Sequence, residues 1–229
     1  MTFLYQIQKL LERTYAPIGV NLENYLIGSG RCHALSRLAG PLAQDLNFEG
    51  RTFFRILGGK LYVAIYYHPS IITVLERHHP FTELSGANIH PLIVFLEELN
   101  HATHAVLQFL ENRLQLDSED LVCDLELQAK VDTYLALKLI VGALQKRRTL
   151  TQRQQKWLQY YLFEQESFAY KEQVLRDRYR EANELGLSLI LYLDLLGTEE
   201  RIKFVRAFRE LTFSQKRSCI QTLCQKRFS

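Results

Sequence analysis

Proline placement divides this chain in two. All five prolines (Pro17, Pro41, Pro69, Pro80 and Pro91) fall in the first 91 residues, and the remaining 138 residues contain none. Proline has no amide donor and clashes with the preceding helical turn. The first part is therefore predicted to be interrupted and turn-rich, and the second is free to be helical throughout. The expected fold class is α+β and predominantly helical: a small β-hairpin in the N-terminal part packed on a helical core, followed by a helical C-terminal half. The natural division is 1–145 and 146–229, as two units or one continuous domain.

Within the first part the spacing predicts a helix over Leu4–Tyr15, a short helix over Asn21–Leu26 and a third over Ala34–Leu46. The period then changes. Two runs rich in aromatic and β-branched residues, Arg51–Leu57 and Lys60–Tyr67, flank Gly58-Gly59, which is the pattern of a hairpin with a two-residue turn. Ile71–Arg77 fits either a helix or a third strand. Pro91 suits a first helical turn, and a helix is predicted from there to about Leu114. A second is predicted over Leu121–Gln145, apolar almost all round from Thr133 to Leu144 and so buried. Thr151-x-x-Gln154 reads as a capping box opening a long helix to about Glu181. Further helices are expected over Glu184–Leu196, Glu199–Leu211 and Ser214–Gln225.

Chemistry concentrates in Glu97-Glu98-Leu99-Asn100-His101-Ala102-Thr103-His104. At a helical period Glu97, His101 and His104 share one stripe, which Gln108 and Glu111 continue, and Glu98 sits at its edge. Such a stripe can be a solvated polar face or a set of metal ligands. Glu98-x-x-His101 also has the spacing used in di-iron bundles, and Glu76-x-x-His79 repeats it, but the copies are too close for two antiparallel helices and Pro80 follows the first.

Residues 51–140 resemble a small gluzincin-like metallopeptidase domain. The resemblance rests on Glu97-Glu98-Leu99-Asn100-His101 at the position of the zincin helix motif, on Glu126-Leu127-Gln128-Ala129 at the start of the next helix, 25 residues beyond His101, and on the strand pair upstream. It implies a zinc site with Glu98 as the base that activates water, His101 as a ligand and Glu126 as the third ligand. Glu97 stands where the family has its first histidine. Glu97 would then be a carboxylate ligand, or His104 would supply the missing imidazole from one turn on, or only the scaffold remains. The reading is a zinc-binding protein, either a peptide hydrolase acting on a peptide or protein substrate or a degenerate relative of one.

Charge offers a second reading. Residues 201–229 carry eight Lys/Arg and one Asp/Glu. A basic tail of this kind suits an acidic protein partner, with Arg201, Lys203, Arg206 and Arg209 as the binding residues of a non-catalytic helical interaction protein. Nucleic acid is disfavoured, since neither exposed aromatics nor a groove-reading helix is identifiable. No Gly-rich phosphate loop and no Gly-x-Ser-x-Gly elbow is present. No apolar run is long enough to span a membrane, and the N-terminus lacks the pattern of a secretory signal. The four cysteines form no Cys-x-x-Cys pair and are expected to be thiols. Together these features suggest a cytoplasmic protein.

Overall fold

The structure, a computed structural model, describes residues 2–40, 49–116, 118–147, 149–165 and 167–227. Helix α1 (Phe3–Thr14) is capped by the Thr2 hydroxyl, and a short 3-10 turn covers Leu22–Tyr25. Helix α2 spans Ser29–Leu38, earlier than the spacing of Ala34–Leu46 predicts; Ala39 and Gly40 lie past its end, and residues 41–46 of the predicted helix lie outside the described residues. Strands β1 (Gly50–Leu57) and β2 (Lys60–Tyr67) pair antiparallel, with Leu57 opposite Lys60 across the Gly-Gly turn. Gly58 and Gly59 both have positive φ, which side-chain-bearing residues resist. Helix α3 (Pro69–Arg77) settles the alternative at Ile71–Arg77 in favour of helix, with Pro69 in its first turn.

Helices α4 (Ile89–Leu110) and α5 (Glu119–Leu144) form the centre. Side-chain pairs between them run in opposite order along the chain, from Glu97–Lys130 to Gln108–Asp124, so the two helices are antiparallel. Leu92, Leu96 and Leu99 of α4 and Leu127 and Leu137 of α5 have no exposed surface. Each is worth about 1.5–3 kcal/mol relative to an exposed side chain.

The C-terminal half departs from the predicted spans. Helix α6 (Gln152–Gln159) does begin at the Thr151/Gln154 capping box, but it ends in a π-helical turn, Tyr160–Glu164. Residues 167–172 are not helical. Helix α7 (Gln173–Leu193) then runs straight through the expected break near 182. Asn183 explains part of this, because its buried side chain donates to the Phe163 carbonyl and ties α7 to the π-turn. Helices α8 (Thr198–Arg209) and α9 (Phe213–Arg227) close the chain. One apolar cluster extends from Leu4 through β2, α4 and α5 to Ile220, drawing on both sequence halves. No described helix is long and apolar enough to cross a membrane. All four cysteines are free thiols.

Candidate functional site

The stripe on α4 is not a solvated face. Each of its five members has a partner inside the fold: Glu97 with Lys130, His101 with Glu126, His104 with Asp132, Gln108 with Asp124, and Glu111 with Arg209. Helix α5 supplies four of these partners from positions 124, 126, 130 and 132, the polar residues of the face turned toward α4. The stripe divides into two centres.

The first lines a pocket of about 450 Å³. Glu97, Glu98 and His101 form one wall, Glu126 and Lys130 another, Gly50–Thr52 of β1 a third, and Tyr161, Tyr170 and Tyr179 an aromatic side. His101 is divided between two carboxylates. Its Nδ1 is 3.6 Å from Glu98 Oε2 and its Nε2 is 3.4 Å from Glu126 Oε2. Burial alone would lower the imidazole, but the charges of Glu126 and Glu98 outweigh it and hold His101 well above its ordinary range. Burial would raise Glu126, yet the His101 charge, the Lys130 ammonium and the Tyr179 hydroxyl keep its carboxyl below the usual range. Tyr179 is itself pushed well up by burial and by Glu126. Its ring stacks on Tyr170, with centroids 4.8 Å apart.

Glu98 is fixed from the strand side. The Thr52 hydroxyl is 2.7 Å from Glu98 Oε2 and 3.0 Å from the Glu98 carbonyl. Gly50 permits this approach: a Cβ there would lie 2.7 Å from Val94 Cγ1 and 2.8 Å from Glu98 Cγ. Lys130 Nζ is 2.9 Å from Glu97 Oε1.

The second centre is sealed. His104 Nε2 is 2.6 Å from Asp132 Oδ2, and His104 is 2% exposed. The Tyr15 hydroxyl donates to Asp132 Oδ1 at 2.6 Å, and Gln128 donates to Tyr15 and to Asp132. Lys216 of α9, fully buried, donates to Asp124 at 2.6 Å and to Gln128 at 3.2 Å.

Among the residues singled out from sequence, Glu97, Glu98, His101 and Glu126 therefore meet at one pocket. His104 does not join them, because Asp132 and Tyr15 hold it in the sealed centre. Lys130, Thr52, Gly50, Tyr170 and Tyr179 were not anticipated. Lys130 had a visible signal, since it follows Glu126 by one helical turn. Tyr170 and Tyr179 had none, because they reach the pocket only through the unforeseen break in the helix.

The zinc arrangement implied by the resemblance can be tested against this geometry. Two ligands about 2.1 Å from one tetrahedral zinc lie about 3.4 Å apart, and His101 Nε2 and Glu126 Oε2 have that separation. A catalytic zinc needs three protein ligands. Glu97 is held by Lys130 and Glu98 faces the opposite edge of the imidazole. Among the described residues no three His, Cys, Asp or Glu side chains are gathered as a metal site. The described residues bring two ligands to zinc spacing and no third, and so do not fit a resident zinc.

The basic residues of the C-terminal helices are mostly engaged internally. Arg201 donates to the Leu193 and Leu196 carbonyls, Arg206 to the Thr14 and Arg13 carbonyls, and Arg209 to both oxygens of Glu111. Arg209 also lies over the Tyr15 ring. Lys203 is exposed. Three of the four guanidinium and ammonium groups expected to meet a partner thus tie α8 to the rest of the fold. A scan against protein-family models, a search of curated proteins and a search of solved structures return no match to this chain.

Proposed function

We propose that the chain is a peptide-binding protein built on a zincin-like scaffold, and that it binds without a resident metal. The observation that carries the reading is the placement of β1. The strand has a hydrogen-bonded neighbour, β2, on one side, and no described strand pairs with its other edge. Its residues Gly50, Arg51 and Thr52 line the pocket beside Glu98 and His101. An open strand edge offers backbone donors and acceptors to an extended chain, and adjacent pockets supply the choice of side chains.

The pocket chemistry suits a polar peptide segment. Carboxylates (Glu49, Glu97, Glu98, Glu126) and cations (Arg51, His101, Lys130) share one cavity, with Tyr161, Tyr170 and Tyr179 as a flat wall. A volume of about 450 Å³ falls within the range of small-ligand sites. Glu98 and His101 would contact the bound segment through hydrogen bonds, and Thr52 and Gly50 set the position of Glu98.

The test is a titration of isotope-labelled protein with short peptides, blocked and unblocked at their termini, followed by amide and imidazole shifts. Saturable shifts at Gly50, Arg51, Thr52 and His101 are expected. Saturable shifts confined to other surfaces, or none at millimolar peptide, would overturn the reading.

A further inference from the structure

We propose that the unpaired edge of β1 is one continuous peptide-binding ladder, running from the tyrosine-walled pocket to a second cavity at the far end of the strand. The segment it takes is an extended stretch of about seven residues, with an acidic and an apolar residue at that far end. The inference rests on the peptide reading above and deepens it, from the pocket at Gly50–Thr52 to the length and chemistry of the ligand.

The hairpin register fixes which backbone groups face outward. Leu57 and Lys60 are partners across the two-residue turn, and in such a hairpin the flanking pair exchanges both hydrogen bonds. Bonded and non-bonded pairs alternate from there, so Arg55, Phe53 and Arg51 turn their N–H and C=O groups to β2. At the other end of the hairpin the His68 amide donates to the Glu49 carbonyl at 2.7 Å, in keeping with the same alternation. Ile56, Phe54, Thr52 and Gly50 therefore turn their backbone groups to the free edge. Among the described residues no backbone group answers them.

The outward groups fall into two sets. Gly50 and Thr52 line the first pocket. Phe54 and Ile56 line a second cavity, of about 830 Å³, bounded on its other side by Leu114 and Leu116 of the loop after α4. Extended backbone from Gly50 to Ile56 covers roughly 20 Å, the reach of about seven residues.

The two cavities ask for different side chains. Charged groups and tyrosines line the first. The second is apolar on both walls, with Arg55 beside them. Arg55 is exposed and makes no ion pair among the described residues. An incoming strand that sets a carboxylate against Arg55 and an apolar side chain against the leucines meets both features. The same charge argues against a second copy of the chain as the occupant. Strand β1 has two arginines and no acidic residue. Antiparallel pairing of two β1 edges along their whole length centres on Phe53 and sets Arg51 opposite Arg55 of the other copy, and like charges directly opposite one another are destabilising.

The experiment measures affinity and amide hydrogen exchange on the full chain with synthetic peptides blocked at both termini. The probes are a threonine–valine heptapeptide with glutamate and leucine at one end, its counterpart with that pair at the other end, and a tetrapeptide without the pair. One of the two heptapeptides is expected to bind about tenfold more tightly than the tetrapeptide. It is also expected to slow exchange at Gly50, Thr52, Phe54 and Ile56 while leaving Arg51, Phe53 and Arg55 as they are. Contact with side chains alone would not produce that alternation. Arg55→Glu alters an exposed side chain and is expected to fold. It should weaken that heptapeptide about fivefold, and lysine in place of the peptide's glutamate should restore the loss.

Slowed exchange confined to Gly50 and Thr52, with equal affinity for long and short peptides, would overturn the ladder and leave the peptide reading standing. No slowed exchange at either end would overturn both. An Arg55→Glu chain that binds the glutamate and lysine peptides equally would overturn the choice of an acidic residue. Slowed exchange at the same alternate amides without peptide, growing with protein concentration, would make a second copy the occupant and overturn the proposal as well.

Discussion

The two halves of the α4 polar stripe use the same residue types for opposite ends. At the pocket, His101 stands between Glu98 and Glu126 with its side chain 13% exposed. One turn on, His104 stands against Asp132 at 2%. The first imidazole borders a cavity, and the second borders only protein. In the sealed centre both oxygens of Asp124 and of Asp132 are answered by other side chains, from Tyr15 near the chain's beginning to Lys216 near its end. In the open centre His101 Nε2 and Glu97 Oε1 are left without hydrogen bonds. Full satisfaction is what stability requires, and incomplete satisfaction beside a cavity is what a ligand exploits. The contrast suits the sealed centre to stability and, on the reading proposed above, the open centre to binding.

The largest expected effect lies in the sealed centre. Asp132→Ala removes the acceptor shared by His104, Tyr15 and Gln128 and leaves all three buried. A loss of about 3–5 kcal/mol is expected, read from the urea midpoint at constant slope. Glu126→Gln at the pocket should cost clearly less; equal losses would erase the distinction between the centres.

Next is Gly50→Ala. The added methyl group meets the Val94 and Glu98 side chains at distances Cβ atoms essentially never show, so β1 or those two side chains must shift. A cost of about 1–3 kcal/mol is expected, with the Glu98 and Thr52 resonances displaced. Unchanged stability and spectra would show that the strand seats loosely.

A smaller effect is the pH profile of the pocket pair. The folded His101 lies above its reference value of 6.5, so its contribution is full below pH 6.5 and fades as pH rises through the higher folded value. The folded Glu126 lies below its reference value of 4.5, so its contribution is present above pH 4.5 and fades as pH falls through the lower folded value. The stability gap between wild type and His101→Ala should therefore be widest between pH 4.5 and 6.5 and narrow on the alkaline side. A gap independent of pH would mean that the pair is not ionised. Smallest of all, Lys203→Glu on exposed α8 should change stability by less than about 0.5 kcal/mol.

Much of the scaffold is readable from the chain. The Gly58-Gly59 hairpin, α4 and α5 follow from a change of period and from strong helical runs, and both strands are within a residue of their predicted bounds. The burial of the α4 stripe is harder to see, because a polar stripe looks the same facing water or facing another polar stripe. Asp124, Gln128 and Asp132 recur every fourth residue on α5 and would have revealed the match had the two stripes been read together. The change to a π-turn at Tyr160 leaves no trace in side-chain period, and the Asn183 side chain that bonds its Phe163 carbonyl comes from twenty residues away. The pocket's aromatic wall was hidden with it. At the pocket itself, Glu97, Glu98, His101 and Glu126 could be picked out by residue type and spacing. The role of Lys130 emerges only when α4 and α5 are set side by side.

The sealed centre also orders events in time. The α4–α5 pairs join residues 16 to 33 positions apart, whereas Tyr15 reaches Asp132 across 117 positions and Lys216 reaches Asp124 across 92. Short loops close fast and long ones slowly. The central hairpin of helices can form with its carboxylates still wet, and the chain's two ends then dock on the same helix, on either side of Gln128, which touches both Tyr15 and Lys216. Gln108 and His104 of α4 can already meet Asp124 and Asp132 within that hairpin, so what the two ends add is the cover of Tyr15 and Lys216 that completes the sealed centre.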